Sequence, residues 1–257
     1  MKEDLITFNN VSKIYENKII LEDINISIKK GESVAIIGHN GEGKSTFLRM
    51  VSGLTKINSG EINYSHKLKF AYVPDNFCKL NITPRKYINH IGIIEGIPKT
   101  ELEEKSEKLF RSFFLDKMID ISMKNLSKGS LQKVGVIQAL LTNPDVLLLD
   151  EPLSGQDVKS QGVFISLVKK MKQDGVAIIM ACHDELLVNK LSDTVYEINN
   201  RNLRLSTEFN WESDVLTFKN NKELTQNIKE IIEKEKNENG QLKIQVNKVS
   251  FCNLYEN

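Results

Sequence analysis

Cysteine is scarce in this chain of 257 residues, and its three cysteines lie far apart at Cys78, Cys182 and Cys252. An odd, widely spaced set provides neither a disulfide framework nor the spacing of zinc ligands. Long apolar runs are also missing, because the longest, Val146–Leu149 and Val176–Cys182, are far too short to span a bilayer. The first residues lack the apolar core of a signal peptide. We therefore expect a cytoplasmic protein that meets a membrane only through a partner.

The chain has no excess of either charge. Its 35 lysine and arginine residues almost balance 34 aspartate and glutamate residues. A nucleic-acid partner usually requires a strongly basic face, so we expect none. Apolar residues make up 40% of the chain and charged residues 27%, which is ordinary for a globular protein. The length is sufficient for one large domain, or for one domain and a small appendage.

A glycine-rich segment between two apolar patterns is the most informative feature. Residues 38–46 read Gly-His-Asn-Gly-Glu-Gly-Lys-Ser-Thr, after a strand pattern at 33–37 and before a helical pattern at 47–51. In this setting the backbone curls so that N–H groups face phosphate oxygens, and the helix adds its positive end. Lys44 then reaches the terminal phosphates, and Ser45 is placed to ligate Mg²⁺. The alternative is a glycine-rich turn with an incidental lysine.

This phosphate loop predicts binding of a nucleoside triphosphate with Mg²⁺. The residues predicted to bind the nucleotide are Gly38, Asn40, Gly41, Gly43, Lys44, Ser45 and Thr46.

Two carboxylates end a second apolar strand. Val146–Leu149 leads directly into Asp150 and Glu151. Acids at the end of a buried strand lie at the mouth of an α/β sheet, where ligands bind. Asp150 suits Mg²⁺, which prefers hard oxygen ligands, and Glu151 can accept a proton from an attacking water. The alternative is that the two acids cap the turn before Pro152.

The remaining pattern predicts an α/β fold with a P-loop NTPase core, an antiparallel β edge sheet and an inserted α-helical segment at about 76–128. Leu5–Val11 and Ile19–Ile28 alternate as edge strands do, and charged helical segments occupy about 83–124. Further strands are expected at Glu61–Tyr64, Lys69–Val73, Val146–Leu149 and Val176–Cys182, and helices at Ser130–Thr142, Asp157–Gln173 and Glu185–Leu191.

Residues after about 205 have a different texture and predict a small C-terminal α+β appendage. Val215–Phe218 has a strand pattern, residues 224–231 follow one side of an amphipathic helix, and residues 244–251 suggest a final strand. The predicted boundaries are 1–205 for the main domain and 206–257 for the appendage. Whether this appendage is a simple addition packed on the core or a regulatory module stays open.

A short segment between the two motifs completes a recognisable order. Residues 126–132 read Leu-Ser-Lys-Gly-Ser-Leu-Gln, directly ahead of a helical pattern. Phosphate loop, helical insert, this segment, the Asp-Glu strand, the next turn and a late histidine follow one another as in the ATP-binding cassette (ABC) ATPases. The chain resembles that family over about residues 4–205, in particular its exporter-type transporter subunits.

The signature of that family is usually Leu-Ser-Gly-Gly-Gln, and this chain departs from it in part. Ser127 and Gly129 are kept, whereas Lys128 and Ser130 stand at the other two positions. The resemblance implies that Ser127 and Gly129 contact the γ-phosphate of a nucleotide held by an opposite subunit. Ser127 is equally suited to be an ordinary N-cap of the following helix, and the two roles are compatible.

The resemblance assigns roles to four further residues. Tyr15 stands where the family stacks an aromatic ring on adenine, and Asp157 ends the turn that crosses the dimer interface. His183 takes the place of the switch histidine at the γ-phosphate, beside Lys44 and Glu151 in the catalytic set. Asp75 replaces a glutamine that contacts Mg²⁺ and the attacking water. This carboxylate can still reach the water shell of the metal, but it cannot donate a hydrogen bond when ionised.

A single cassette cannot complete its own active site, so the resemblance implies a head-to-tail homodimer that binds two ATP molecules. It further implies an ATPase subunit that acts on a separate integral membrane permease, at the cytoplasmic face of the membrane. The short insert, Asp75 and the Ser-Lys-Gly variant resemble exporter-type members. The alternatives are a non-transport ABC ATPase in an assembly or regulatory complex, and a cassette that binds ATP without hydrolysing it.

Overall fold

A computed structural model describes residues 3–206, 215–218 and 242–245 of the chain. The chain divides into two compact units, Met1–Ser206 and Thr207–Asn257. None of the helices in the described ranges combines the length and apolar character that a bilayer crossing requires.

An antiparallel sheet flanks the core, as the alternating pattern predicted. Of the described strands, β1 (Asp4–Tyr15), β2 (Lys18–Lys29) and β4 (Ser59–Tyr64) form it in the order β2-β1-β4. Its inward side chains are buried together with those of the helix that follows the phosphate loop. Phe8 and Phe47, for example, stack with ring centroids 5.3 Å apart. The sheet therefore packs directly behind that loop.

The main sheet has six strands within the described part of the chain, in the order β5-β6-β7-β3-β8-β9. All neighbours pair in parallel except the antiparallel hairpin β8–β9. The strands are β3 (Ser33–Ile37), β5 (Phe70–Val73), β6 (Val146–Asp150), β7 (Ala177–Ala181), β8 (Thr194–Asn199) and β9 (Asn202–Leu205). Every residue of β6 and β7 is buried, which explains their continuous apolar sequences.

Helices connect these strands. Next to the sheet lie α1 (Lys44–Val51), α5 (Val158–Gln173) and α6 (Glu185–Leu191). The predicted insert contains α2 (Pro84–Ile94), α3 (Lys99–Ser112), a short 3₁₀ turn (Met123–Asn125) and the start of α4 (Lys128–Leu141). The helix predicted at Ser130–Thr142 thus begins two residues earlier, because Ser127 is its N-cap.

The second unit contains a described pair of antiparallel strands. β10 (Val215–Phe218) pairs with β11 (Leu242–Gln245), with Val215 opposite Gln245 and Phe218 opposite Leu242. The strand predicted at 215–218 is confirmed, and the final strand begins earlier than the predicted residue 244. The helix predicted at 224–231 lies outside the described residues.

Candidate functional site

The predicted catalytic residues meet at one edge of the main sheet. Strands β3, β6 and β7 are neighbours and run in parallel, so their carboxyl ends share this edge. The phosphate loop follows β3, Asp150 is the last residue of β6, and His183 lies two residues beyond β7. Topology therefore brings together groups that are more than one hundred residues apart in the sequence.

The phosphate loop has a backbone that requires glycine. Gly38, Gly41 and Gly43 have φ angles of 143°, 85° and 105°. A Cβ atom at Gly43 would also lie 2.9 Å from Ile20 Cγ2, so β2 closes the space behind the loop. Gly43 is the N-cap of α1 and the first turn of that helix carries no acidic residue. Its N–H groups and positive end are therefore directed at the loop.

Lys44 is held at the centre of this loop. Its ammonium donates to the carbonyl oxygens of Gly38 (2.7 Å) and His39 (3.0 Å), and lies 3.0 Å from His183 Nε2. Burial lowers the pKa of Lys44, and the nearby carboxylates of Glu151, Glu42 and Asp150 oppose that shift. The predicted cation therefore lies between the phosphate loop and the predicted switch histidine.

Asp150 receives a hydrogen bond on each of its carboxylate oxygens. Ser45 Oγ donates to Oδ1 over 3.1 Å, and the Tyr72 hydroxyl donates to Oδ2 over 3.0 Å. Asp150 is 4% exposed, so both contacts lie inside the protein. Burial and the Asp150 carboxylate raise the pKa of Tyr72 to about 12, which keeps its hydroxyl protonated as a donor. The two predicted magnesium ligands Ser45 and Asp150 are thus in direct contact.

Tyr72 was missed by the sequence analysis. It lies on β5, directly opposite Leu148 in the neighbouring strand β6. A tyrosine inside a half-buried strand usually finds a hydrogen-bond partner, and that rule was the available signal.

Glu151 has a strained backbone and a carboxylate with free hydrogen-bonding capacity. Its φ angle is 46°, and its N–H donates to the carbonyl oxygen of Ala181 over 2.9 Å. Its Oε1 lies 3.5 Å from His183 Nε2 and has no hydrogen-bond partner among the described residues. Burial raises the pKa of Glu151, against the opposing effect of His183. A buried carboxylate with a raised pKa suits a general base.

An open cavity of about 330 Å³ adjoins this carboxylate and gives room for water. Glu151, Leu153, Cys182, His183 and Leu187 are among its lining residues. His183 Nε2 also lies 2.9 Å from Asn40 Oδ1, so the histidine connects the cavity to the phosphate loop.

The predicted signature residues form a second group at the start of α4. Ser127 accepts a hydrogen bond from the N–H of Ser130 over 3.2 Å, which confirms its N-cap role. A Cβ atom at Gly129 would lie 2.0 Å from the carbonyl oxygen of Gly155. Only glycine permits this close approach, so the first turn of α4 packs against the turn that follows Glu151.

Asp157 is the N-cap of α5 in the same region. Its Oδ1 accepts from the N–H of Ser160 over 3.0 Å, and its Oδ2 accepts from Lys133 Nζ over 2.6 Å. Lys133 holds the pKa of Asp157 well below its usual range. These contacts join α4 to α5, and Lys133 is a residue that the sequence analysis did not single out.

The other predicted residues lie apart from the Lys44 cluster in their contacts. The Asp75 carboxylate pairs with Lys128 Nζ at 3.3 Å and accepts from Asn76 Nδ2 at 2.8 Å. Its role at the metal stays a prediction. The Tyr15 ring is 41% exposed and lies under the Lys13 ammonium, 4.3 Å from the ring centroid.

The residues at the sheet edge fit ATP with Mg²⁺. The glycine backbone leaves room that side chains would fill, and Lys44 supplies a cation within it. Ser45 and Asp150 offer the hydroxyl and carboxylate oxygens that Mg²⁺ prefers. In the described ranges, no three His, Cys, Asp or Glu side chains converge on a metal site. That suits Mg²⁺, which is usually held by one or two carboxylates and by the phosphates themselves.

Known proteins share this arrangement. The family model described as "ABC transporter" matches residues 21–154. The chain is 34% identical to the zinc import ATP-binding protein ZnuC of Rickettsia bellii over 203 residues, which are 77% of this chain and 84% of the relative. It is 31% identical to the spermidine/putrescine import ATP-binding protein PotA of Mesoplasma florum over 211 residues, 77% of this chain and 60% of that relative.

Solved structures agree in fold. The ATP-binding subunit of an ABC transporter superposes with a TM-score of 0.73 and 26% identity, over 79% of this chain and 90% of the other. A dimeric ATP-binding cassette in a post-hydrolysis state with ADP and Pi gives a TM-score of 0.70 at 24% identity, over 79% and 98% of the chains. Because the family model spans more than half of the chain and the ZnuC relative matches 77% of it, this protein belongs to the ABC transporter family as an ATP-hydrolysing, ATP-binding subunit.

Proposed function

We propose that this chain powers a membrane transporter whose membrane-spanning permease is a separate polypeptide. Residues 1–205 would carry the ATPase, residues 206–257 a small appendage, and the subunit would dock on the cytoplasmic face of the membrane. Two facts support the proposal: the family itself, and curated relatives that are named as ATP-binding subunits of import systems.

The contacts at the sheet edge support a specific division of labour. Lys44 and the loop N–H groups would bind the β- and γ-phosphates, while Ser45 and Asp150 would hold Mg²⁺. Bound Mg²⁺ supplies neutralisation of the charge on the phosphates. Glu151 would accept the proton of the attacking water, and His183 would contact the terminal phosphate.

The signature residues support a head-to-tail homodimer. Ser127 and Gly129 make their contacts with Ser130 and Gly155, whereas Lys44 contacts its own loop and His183. A site that uses both groups on one nucleotide would take them from two copies of the chain. Each ATP would then join the copies, and hydrolysis would let them separate.

The observation that carries the hydrolytic proposal is Glu151 Oε1, which is buried, lies 3.5 Å from His183 and has no hydrogen-bond partner within the described part of the chain. Glu151→Gln should retain ATP binding, lower the hydrolysis rate by roughly 100-fold or more, and trap an ATP-dependent dimer. Glu61→Gln, at an exposed glutamate on β4, is the matched control and should keep the parental rate. Undiminished turnover in Glu151→Gln would rule out Glu151 as the base.

The direction of transport is the point where prediction and relatives differ. Export was predicted from the short insert, Asp75 and the Ser-Lys-Gly variant. The relatives ZnuC and PotA are named for import, so they lend the export prediction no support. Inside-out vesicles that contain the native permease distinguish the two, with Zn²⁺ and spermidine as first probes. ATP-driven accumulation in these vesicles means export, and ATP-driven loss from preloaded vesicles means import.

Co-purification separates a transporter subunit from a non-transport ABC ATPase. A transporter subunit should be recovered from detergent-solubilised membranes together with a protein that has several membrane spans. Recovery without a membrane protein under the same conditions would favour the assembly or regulatory alternative.

A further inference from the structure

Two residues that depart from the ABC pattern are in contact with each other. Asp75 stands where the family usually has glutamine, and Lys128 stands in the signature where it usually has glycine. Lys128 Nζ lies 3.3 Å from Asp75 Oδ1, although the two residues are 53 positions apart. The structure therefore joins the two departures into one ion pair.

The position of Lys128 makes it an unusual place for a cation. It is the first residue of α4, between Ser127 and Gly129. The N-terminus of a helix is positive, so it favours anions and disfavours a lysine. The first turn of α4 carries no acidic residue, and the carboxylate that contacts Lys128 comes from Asp75, outside the helix. Lys128 therefore adds positive charge at the end of α4 where the proposed function requires a phosphate contact.

The ion pair is suited to exchange rather than to structural support. The side chains of Lys128 and Asp75 are 52% and 40% exposed, and exposed pairs add little stability. By contrast, the Lys133 side chain in the neighbouring pair with Asp157 is 10% exposed, and that pair joins two helices. A bound triphosphate carries more negative charge than one carboxylate, so it would compete well for the Lys128 ammonium.

The loop that carries Asp75 is attached to α4 without the ion pair. Gln132 Nε2 donates to the carbonyl oxygen of Pro74 over 2.9 Å. The Phe77 ring fills the space above Gly135, where a Cβ atom would lie 2.7 Å from the ring. Lys128 can therefore leave Asp75 while the loop keeps these two contacts with the helix.

We propose that Lys128 is a nucleotide-contacting residue that acts across the dimer, and that Asp75 is its exchangeable counterion. When two copies close on ATP, the ammonium of Lys128 leaves Asp75 and contacts the terminal phosphates held by the Lys44 loop of the other copy. Asp75 then opposes closure, because it competes with the nucleotide for Lys128. The proposal rests on the head-to-tail dimer of the proposed function, and it adds a residue to that site.

The test measures the ATP concentration at which half of the Glu151→Gln protein is dimeric, by analytical ultracentrifugation. Added Lys128→Gln should raise this concentration roughly tenfold, because a charged contact to phosphate is lost. Added Asp75→Asn should lower it roughly two- to fivefold, because the competitor is removed. A purely structural ion pair predicts shifts in the same direction, since either variant breaks the same contact. Lys128→Arg keeps the cation and should stay within about twofold of the parent.

An exposed ion pair on α3 is the matched control. Lys99 and Glu103 are 3.9 Å apart with exposed side chains, and Lys99→Gln and Glu103→Gln should leave the half-point unchanged. If the parent protein fails to dimerise with ATP, both the proposed dimer and the Lys128 contact are wrong. If the parent dimerises but the Lys128 and Asp75 variants move together, or not at all, only the exchange between Asp75 and the nucleotide is overturned.

Discussion

The Tyr72 hydroxyl donates a hydrogen bond to Asp150 Oδ2 over 3.0 Å. Ser45 occupies the other carboxylate oxygen, so the two donors together set the orientation of Asp150. Both donors come from elements that flank β6, one from α1 and one from β5. Tyr72 is therefore a positioning residue for the carboxylate that we assign to Mg²⁺.

Tyr72→Phe tests this positioning. The ring packing is kept and only the hydroxyl is lost, so unfolding free energy should fall by about 1 kcal/mol. The Mg²⁺ concentration for half-maximal ATPase activity should rise several-fold, because Asp150 loses one of the two groups that orient it. Tyr196→Phe, on β8, is the control and should leave the Mg²⁺ dependence unchanged. A Tyr72→Phe protein with parental Mg²⁺ dependence would contradict the assignment.

Two glycines on neighbouring helices predict opposite effects of the same substitution. A Cβ atom at Gly129 would meet the Gly155 carbonyl oxygen at 2.0 Å, whereas one at Gly162 would meet nothing within 4 Å. Gly129→Ala should destabilise the protein by about 1–3 kcal/mol through overpacking. Gly162→Ala, inside α5, should stabilise it by about 0.5–1 kcal/mol. Urea denaturation measures both, and a stable Gly129→Ala protein would show that the two turns separate easily.

The Lys133–Asp157 contact predicts a pH-dependent contribution to stability. Lys133 lowers the pKa of Asp157, so the contribution is complete above the unfolded aspartate pKa of about 3.9. It is lost as the pH falls through the lower pKa of the folded state. Asp157→Asn should therefore lower the urea midpoint at pH 7 but much less at roughly pH 3. Asp116→Asn, at an exposed position, should change neither midpoint.

Glu151 predicts the acid side of the pH–rate profile. Burial raises its pKa, and a general base acts only when it is deprotonated. The hydrolysis rate should therefore fall with decreasing pH at values above the ordinary glutamate pKa of about 4.3. Steady-state rates between about pH 5 and 8, in a buffer of constant ionic strength, measure this. An acid limb at or below the ordinary value would contradict the role of Glu151 as base.

Signals that are contiguous in the sequence predicted most of the fold. Residues 38–46 and the Asp150–Glu151 strand end were identified because each motif carries its own strand and its neighbouring turn or helix. The alternating patterns of β1 and β2 predicted the edge sheet, since a half-buried strand alternates by itself. In contrast, β8 and β9 were not predicted. They turn through Asn200 and Arg201, which adopt positive φ without the glycine that usually marks a hairpin.

Contacts between distant side chains were beyond reach of the sequence. Nothing near Lys128 indicates that Asp75 is its partner, because the loop after β5 reaches α4 only through the tertiary fold. The same holds for Lys133, whose distance from Asp157 in the sequence has no helical or strand period. Motifs name the groups that carry chemistry, whereas the partners that orient them depend on packing.

The place of β3 in the main sheet has a consequence for synthesis. Val34 pairs with Ile179 on one side and with Thr194 on the other, so both neighbours of this strand are translated long after it. Domains generally form as the chain leaves the ribosome, and distant pairings form slowly. The phosphate loop therefore cannot reach its final place before residues up to about Asn199 have emerged. A nascent chain should gain nucleotide affinity only near the end of translation of this domain.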